Sequence, residues 1–343
     1  MRVLLANGRL GFRSGSEVHT RDLALALRGR GHDVSVFVGV LREDDDVRTL
    51  RSAGVLVTDD LDALSAIPDV IQGHQLPETT LACLRFPRSP ALQVCHDATN
   101  GRDAAGPSWM IQRRAAVDDY CRERVHRETG TPLSEIDVLF NPIDLTYFKE
   151  RGLPPGTPPV KAVLFHGSKE TGPVVETVAK ACRRAGISLD VLGPGTGLFA
   201  TDPASILSRY DLVFGKARCA LEAMASGAHV ILMGPQGLGP RPDLTNFEAL
   251  LRRNFGRSLL TENLDKESLV RKIRELDASN SAELTRLVRG RCDSAKLAEL
   301  MEGLYLRVAS IKTHRRGWRS WLLGWWARTR LSWRRRRLVQ AGR

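Results

Sequence analysis

Residues 210 to 234, YDLVFGKARCALEAMASGAHVILMG, constrain the fold of this chain more than any other stretch, because they read as strand, loop, helix and strand in immediate succession. The apolar run Leu212 to Phe214 has the length of a buried parallel strand, Gly215 breaks it, and Ala220 to Ala225 favours helix. Gly227 ends that helix ahead of a second apolar run, His229 to Met233. A helix that opens at the carboxyl end of a parallel strand points unbonded N–H groups at a crevice, where phosphates bind well. Lys216 and Arg218 add positive charge to that mouth, and Glu222 is the carboxylate near the helix start.

The same alternation runs along the rest of the chain. RVLLA at 2 to 6 predicts a strand, a glycine-containing loop follows from Asn7 to Gly15, and Ser16 to Arg30 has helical spacing through Val18, Leu23, Leu25 and Leu27. Gly31 stops that helix, DVSVFV is a second strand, and further apolar segments stand at Gly54 to Val57, Asp69 to Ile71 and Ala91 to Cys95. This is the pattern of a parallel α/β sheet. RGLPPGTPP, from Arg151 to Pro159, has the composition of a linker. A second α/β series then begins: strand VKAVLF, helix Pro173 to Ala185, strand SLDVL, loop GPGTG and the unit around Glu222. Residues Ala295 to Ile311 carry Leu297, Leu300, Met301, Leu304 and Val308 at the spacing of a packing helix. With 343 residues the chain can bury two cores. The expected domains are 1–150 and 151–311, whose strand ends would face a shared cleft, followed by a separate tail, 312–343.

The run EAMASGAHVI resembles the EAMA-x-G signature of retaining glycosyltransferases of family 4, and SGSEVHTRDLALALRGRGHDVSVF resembles that family's GG-x-E-x-H turn, helix and GH-x-V strand. The resemblance implies the GT-B architecture: α/β, with two Rossmann-like parallel-sheet domains. It implies transfer of a sugar from a nucleotide-diphosphate sugar to an acceptor hydroxyl, with retention and without a metal. In the family a Glu-x7-Glu pair flanks the donor site, and Glu222 matches the second member, which holds the ribose. Phe214 stands where the first would be, and Ser14 replaces the first glycine of the turn while Gly15 keeps the second. Gly15, Lys169, Lys216, Arg218 and Glu222 are thereby the candidate donor-binding residues. The resemblance places Glu17, His19 and His74 as acceptor or sugar contacts. His96 and Asp97 are the candidate catalytic pair, with the imidazole contacting the reacting sugar and Asp97 orienting it.

Other chemistries fit less well. As a nicotinamide fingerprint Gly8, Gly11 and Gly15 have the wrong spacing, and DVSVFV ends in Gly39 rather than an acidic ribose ligand. There is no G-x-S-x-G elbow or Walker loop. The acidic doublets Asp44 to Asp46, Asp59 to Asp60 and Asp118 to Asp119 read as solvated loops or helix starts, so neither a metal nor another cofactor is expected. Two rivals remain on the same fold: a non-catalytic nucleotide-sugar-binding protein, and a GT-B epimerase or phosphorylase.

The six cysteines show no metal-like spacing and suit a reducing cytoplasm. The net charge of +12 is concentrated in the tail, where residues 312 to 343 hold 11 Lys or Arg, no Asp or Glu and five of the six tryptophans. WRSWLLGWWARTRLSW places Trp318, Trp321, Leu322, Trp325 and Trp326 largely on one helical face. It is too short and too charged to span a bilayer, but suits an anionic headgroup zone. Residues 312–337 are therefore expected to attach peripherally to the inner face of the membrane, with a lipid-linked or cell-envelope glycan as acceptor. A solvated tail is the next reading, and nucleic acid is less favoured because the body shows no second basic patch.

Overall fold

The structure, a computed structural model, describes residues 1–12, 15–151, 159–165, 172–193, 202–276 and 281–311. Ser14, Lys169, most of the proline-rich segment, nearly all of the GPGTG loop and the tail 312–343 lie outside the described residues. The chain forms two compact units, one of Met1–Pro142 with the chain from Ser294 onward, the other of Ile143–Asp293.

The first unit runs β1 (Arg2–Asn7), α1 (Gly15–Gly29), β2 (Asp33–Val38), α2 (Asp45–Ser52), β3 (Leu56–Thr58), β4 (Val70–Gly73), α3 (Leu76–Arg85), β5 (Ala91–Cys95), β6 (Arg113–Ala116), α4 (Asp119–Thr129) and β7 (Ile136–Val138). Its seven parallel strands have the order β3-β2-β1-β4-β5-β6-β7. Side chains alternate across a strand, so Val3 and Leu5 enter the core covered by Leu23 and Leu27 of α1, whereas Leu4 and Ala6 meet Ala82 and Cys83 of α3. Burial on both faces explains why these strands are nearly continuous apolar runs. Two of the acidic doublets serve as helix starts. Asp44 accepts from Val47 N (2.9 Å) and Asp118 from Cys121 N (2.7 Å) as N-caps of α2 and α4.

The second unit continues with β8 (Lys161–Phe165), α5 (Pro173–Ala185), β9 (Ser188–Leu192), α6 (Pro203–Leu207), β10 (Leu212–Gly215), α7 (Arg218–Ala225), β11 (His229–Gly234), β12 (Gly237–Leu238), α8 (Phe247–Arg252), α9 (Lys266–Arg274) and α10 (Ser281–Arg291). Its sheet has the order β12-β11-β10-β8-β9 and is parallel except for β12. Leu164, Phe214 and Ile231 pack with Val178 and Cys182 of α5 and Leu269 and Ile273 of α9. Gly227 takes φ +88 after α7, a left-handed stop that glycine adopts without strain. The last helix among the described residues, α11 (Ser294–Ala309), belongs to the first unit, where Leu297, Met301, Leu304, Tyr305 and Val308 join the core shared by α1 and the odd-numbered side of β1.

Helix α3 approaches the end of β4 so closely that a Cβ on Gly73 would lie 1.9 Å from Thr79 Oγ1 and 2.3 Å from its Cγ2. Gly73→Ala is expected to lower stability by about 1–3 kcal/mol, the usual cost of overpacking. Urea unfolding checks this, and an unchanged midpoint would contradict the close strand-helix approach.

Candidate active site

In the first sheet β1 is flanked by β2 on one side and β4 on the other, so the order of strands reverses there. Ligands of open α/β sheets bind outside the carboxyl ends at such a reversal. The neighbouring strands β4 and β5 end at Gly73 and Cys95, and the next residues are His74 and His96. His74 Nδ1 lies 2.5 Å from His96 Nε2, with ring centroids 4.7 Å apart. His19 of α1 sets its ring edge-on to both, at 4.8 Å from His96 and 5.6 Å from His74. His19 and His74 are buried and His96 is half-buried. Burial, followed by repulsion from His96 and His19, holds His74 well below the usual imidazole value, and burial lowers His96 to about 4. Both rings are therefore neutral at physiological pH, able to donate or accept a hydrogen bond without carrying charge.

Two acids surround this cluster, and the one beside His96 in sequence is not the one that holds it. Asp97 Oδ1 accepts from Thr99 N, Thr99 Oγ1 and Asn100 N, which shapes the following loop. Buried Asp103 instead accepts from the backbone N–H of His96 at 3.0 Å. Burial, opposed by that bond, pushes the Asp103 carboxyl up to about 7. Arg124 fixes the same loop from α4, donating to Asp97 O and Asn100 O at 2.6 and 2.7 Å. Glu17 faces inward, accepting from Arg9 Nε and Phe12 N at 2.7 Å each, and so shapes the loop after β1. A Cβ built on Gly15 would meet no atom within 4 Å, so open space lies beside the start of α1.

In the second unit the order reverses between β8 and β10, and Lys216, Ala217 and Arg218 follow the end of β10. Ala217, the N-cap of α7, makes no side-chain cap and takes φ 51, ψ −132, a strained conformation for a residue with a Cβ. Its N–H donates to Phe255 O at 2.7 Å, and Asn254 and Phe255 themselves have φ 55 and 47. Arg218 Nε donates to Glu222 Oε1 at 2.7 Å, one helical turn on, and both side chains are largely buried. Lys216 Nζ lies 3.4 Å from Gln236 Oε1, and burial followed by repulsion from Arg257 lowers its pKa. Phe214, at the place of the first family glutamate, is fully buried in β10. Among the described residues no group of three or more His, Cys, Asp or Glu is arranged to hold a metal ion.

Sequence reasoning thus located both strand-end mouths but missed Gln72, Asp103 and Tyr305 in the first unit and Gln236 and Arg257 in the second. Only Gln72 left a signal, a polar residue inside the short strand VIQG.

The folds of several solved structures match over nearly the whole chain. A glycosyltransferase from Rickettsia africae ESF-5 has a TM-score of 0.61 at 11% identity, covering 90% of this chain and 98% of its own. Anabaena HepE, solved with UDP and glucose, has 0.59 at 13%, covering 90% and 100%. The lipopolysaccharide outer core galactosyltransferase WaaB has 0.54 at 10%, covering 90% and 100%. No curated protein matches the sequence. Two Rossmann-like parallel sheets with these neighbours define the GT-B fold. Residues 13–147 match Glycosyltransferase Family 4 and contain all three histidines of the cluster. The match lies almost wholly within the first unit, which is thereby similar to glycosyltransferase family 4.

The buried groups make opposite contributions to stability as pH changes. Unfolded histidine binds protons below about 6.5 while folded His96 waits until about 4, so the histidines make stability rise with pH across that window. Asp103 is protonated when folded up to about 7 but only to about 3.8 when unfolded, so it makes stability fall as pH rises from about 4 to 7. Asp103→Asn is expected to steepen the rise between pH 4 and 6.5 by up to about 1.4 kcal/mol per pH unit, and His74→Gln to flatten it. Denaturant titrations at several pH values read both slopes, and identical slopes in all three proteins would refute the assignment.

Proposed function

We propose that the chain is a glycosyltransferase that takes a nucleotide-diphosphate sugar at the α7 mouth of its second unit and transfers the sugar with retention to an acceptor hydroxyl. The observation that carries the reading is the strained, uncapped start of α7 beside Lys216. Backbone N–H groups left open at a helix start suit phosphate oxygens, and a strained N-cap is the kind of feature retained where function requires it. Arg218 and Lys216 compensate the diphosphate as its bond to the sugar breaks, with Lys169 assigned to the same role by its place in the family pattern. Glu222 takes the ribose hydroxyls. Neutral His96 bonds the sugar, with His74 and His19 behind it. The C1–O bond to the diphosphate breaks, the acceptor oxygen bonds C1 from the same face, and its proton passes to a donor phosphate oxygen. No metal is required by this scheme.

The complex of HepE with UDP and glucose supports a UDP-hexose as the first donor to test. The role of WaaB in lipopolysaccharide supports a cell-envelope acceptor, as does the basic, tryptophan-rich tail. No helix among the described residues is long and apolar enough to cross a membrane. In this reading the charged segment 312–337 attaches peripherally. A non-catalytic nucleotide-sugar binder is the second reading, favoured by apolar Phe214 and by the Arg218–Glu222 ion pair.

Lys216→Ala and Glu222→Ala are each expected to weaken UDP-sugar binding by about tenfold, the worth of one charge-assisted hydrogen bond. Calorimetry and a transfer assay on the same samples decide between the readings. Wild-type affinity in both variants removes the α7 site, and binding without any transfer selects the non-catalytic reading.

The full-length protein is further expected to sediment with vesicles containing anionic lipid, to release at high salt, and to stay in solution with neutral vesicles. Equal recovery with both vesicle types would reject the tail as an electrostatic anchor.

A further inference from the structure

Residues 70, 72 and 74 share one face of β4 and its extension, and Val70 on that face belongs to the core covered by α1 and α11. Gln72 therefore places a primary amide where alternation calls for an apolar side chain, and it is fully buried. A buried amide must be hydrogen-bonded at both ends. Tyr305, itself fully buried on α11, donates its hydroxyl to Gln72 Oε1 at 2.5 Å. Gln72 Nε2 lies 3.3 Å from His74 Nε2, and His74 Nδ1 lies 2.5 Å from His96 Nε2. The four side chains form one unbroken line from α11 to the candidate sugar-binding imidazole.

The direction of every proton in that line follows from its first member. A phenol in an apolar core has to donate its proton, because leaving the proton unbonded costs about 1–3 kcal/mol. Burial raises the Tyr305 pKa, so the proton is always present to give. With Oε1 accepting from Tyr305, the amide offers only N–H to His74, whose Nε2 must then present a lone pair. A neutral ring with its lone pair on Nε2 carries its proton on Nδ1 and donates it to His96 Nε2. His96 must in turn carry its proton on Nδ1, which has no protein partner among the described residues.

We infer that Tyr305 is a positioning residue for His96: through Gln72 and His74 it fixes the tautomer in which His96 presents an N–H donor, rather than a lone pair, to an oxygen of the bound sugar. The last step rests on the sugar-binding role of His96 proposed above. The device explains why the chain returns to its first unit to place a tyrosine, where any large apolar residue would fill the space.

The test uses full-length protein labelled with 15N in its histidines. Two-bond 1H–15N correlation spectra report which ring nitrogen carries each proton. The wild type is expected to show His74 and His96 both protonated on Nδ1. Tyr305→Phe keeps the packing and removes only the hydroxyl. It is expected to move the His96 signals toward the other tautomer and to lower kcat about fivefold with little change in donor KM, the pattern of one hydrogen bond lost at the transition state. Gln72→Met interrupts the line one bond further on and is expected to shift the same signals. An Nε2-protonated His96 in the wild type, or an unshifted His96 in folded Tyr305→Phe, overturns the inference. Expected tautomers in a protein without transferase turnover leave the relay standing and remove the sugar-binding role instead.

Discussion

The first unit is organised around a demand that its own sheet creates. A parallel strand buried on both faces has no water to satisfy a polar side chain, yet β4 carries Gln72 and leads directly into His74. These two groups can be buried only if other elements bring hydrogen-bonding atoms to them. Strand β5 brings His96 and helix α11 brings Tyr305, so the alignment of two strands and the docking of α11 answer the same requirement. Apolar packing of Leu297, Met301, Leu304 and Val308 supplies the non-directional attachment of α11. The Tyr305 hydroxyl adds the direction, since it fits one rotation of the helix and no other.

The second unit handles its polar site differently. At its candidate mouth the tension lies in the backbone: Ala217, Asn254 and Phe255 all sit at positive φ around one hydrogen bond. Arg218 and Glu222 meet each other at 2.7 Å, so either must release or share its partner to receive a ligand. A largely buried pair of this kind is already desolvated, which lowers the cost of exchanging one charged partner for another. The arrangement holds cationic and anionic groups ready while keeping the ligand-free unit neutral at that point.

Much of this was legible in the chain because it is local. The helix Pro173–Ala185 and the strands DVSVFV and SLDVL follow from apolar period, glycine stops and proline starts. His74 and His96 could be found because each directly follows an apolar run, the place where a parallel sheet gathers its ligand groups. Strand β6, with the sequence RRAA, could not be found this way. Arg114 is buried there because Gly106 O and Ile111 O receive its guanidinium, a fact of the tertiary structure alone. Asp103 and Tyr305 were illegible for the same reason. One lies 7 residues and the other 233 residues from the group it holds, and nothing in their neighbours' sequence marks either as polar partners of a strand end. Asp97 illustrates the converse error, since adjacency to His96 suggested a contact that loop geometry directs to Thr99 and Asn100.

The two candidate mouths differ in charge state. Three imidazoles share the first unit's site, and for His74 and His96 burial makes the charged form too costly near neutral pH. Such a site has no attraction for a diphosphate, but its N–H groups and lone pairs suit uncharged hydroxyls. At the second unit's mouth burial, followed by repulsion from Arg257, lowers the Lys216 pKa, and an anion placed between these two cations would relieve that repulsion. An anionic group is therefore better accommodated at the second unit's mouth, and an uncharged hydroxyl at the first. A phosphate at the first mouth would bury its charge against imidazoles that resist protonation.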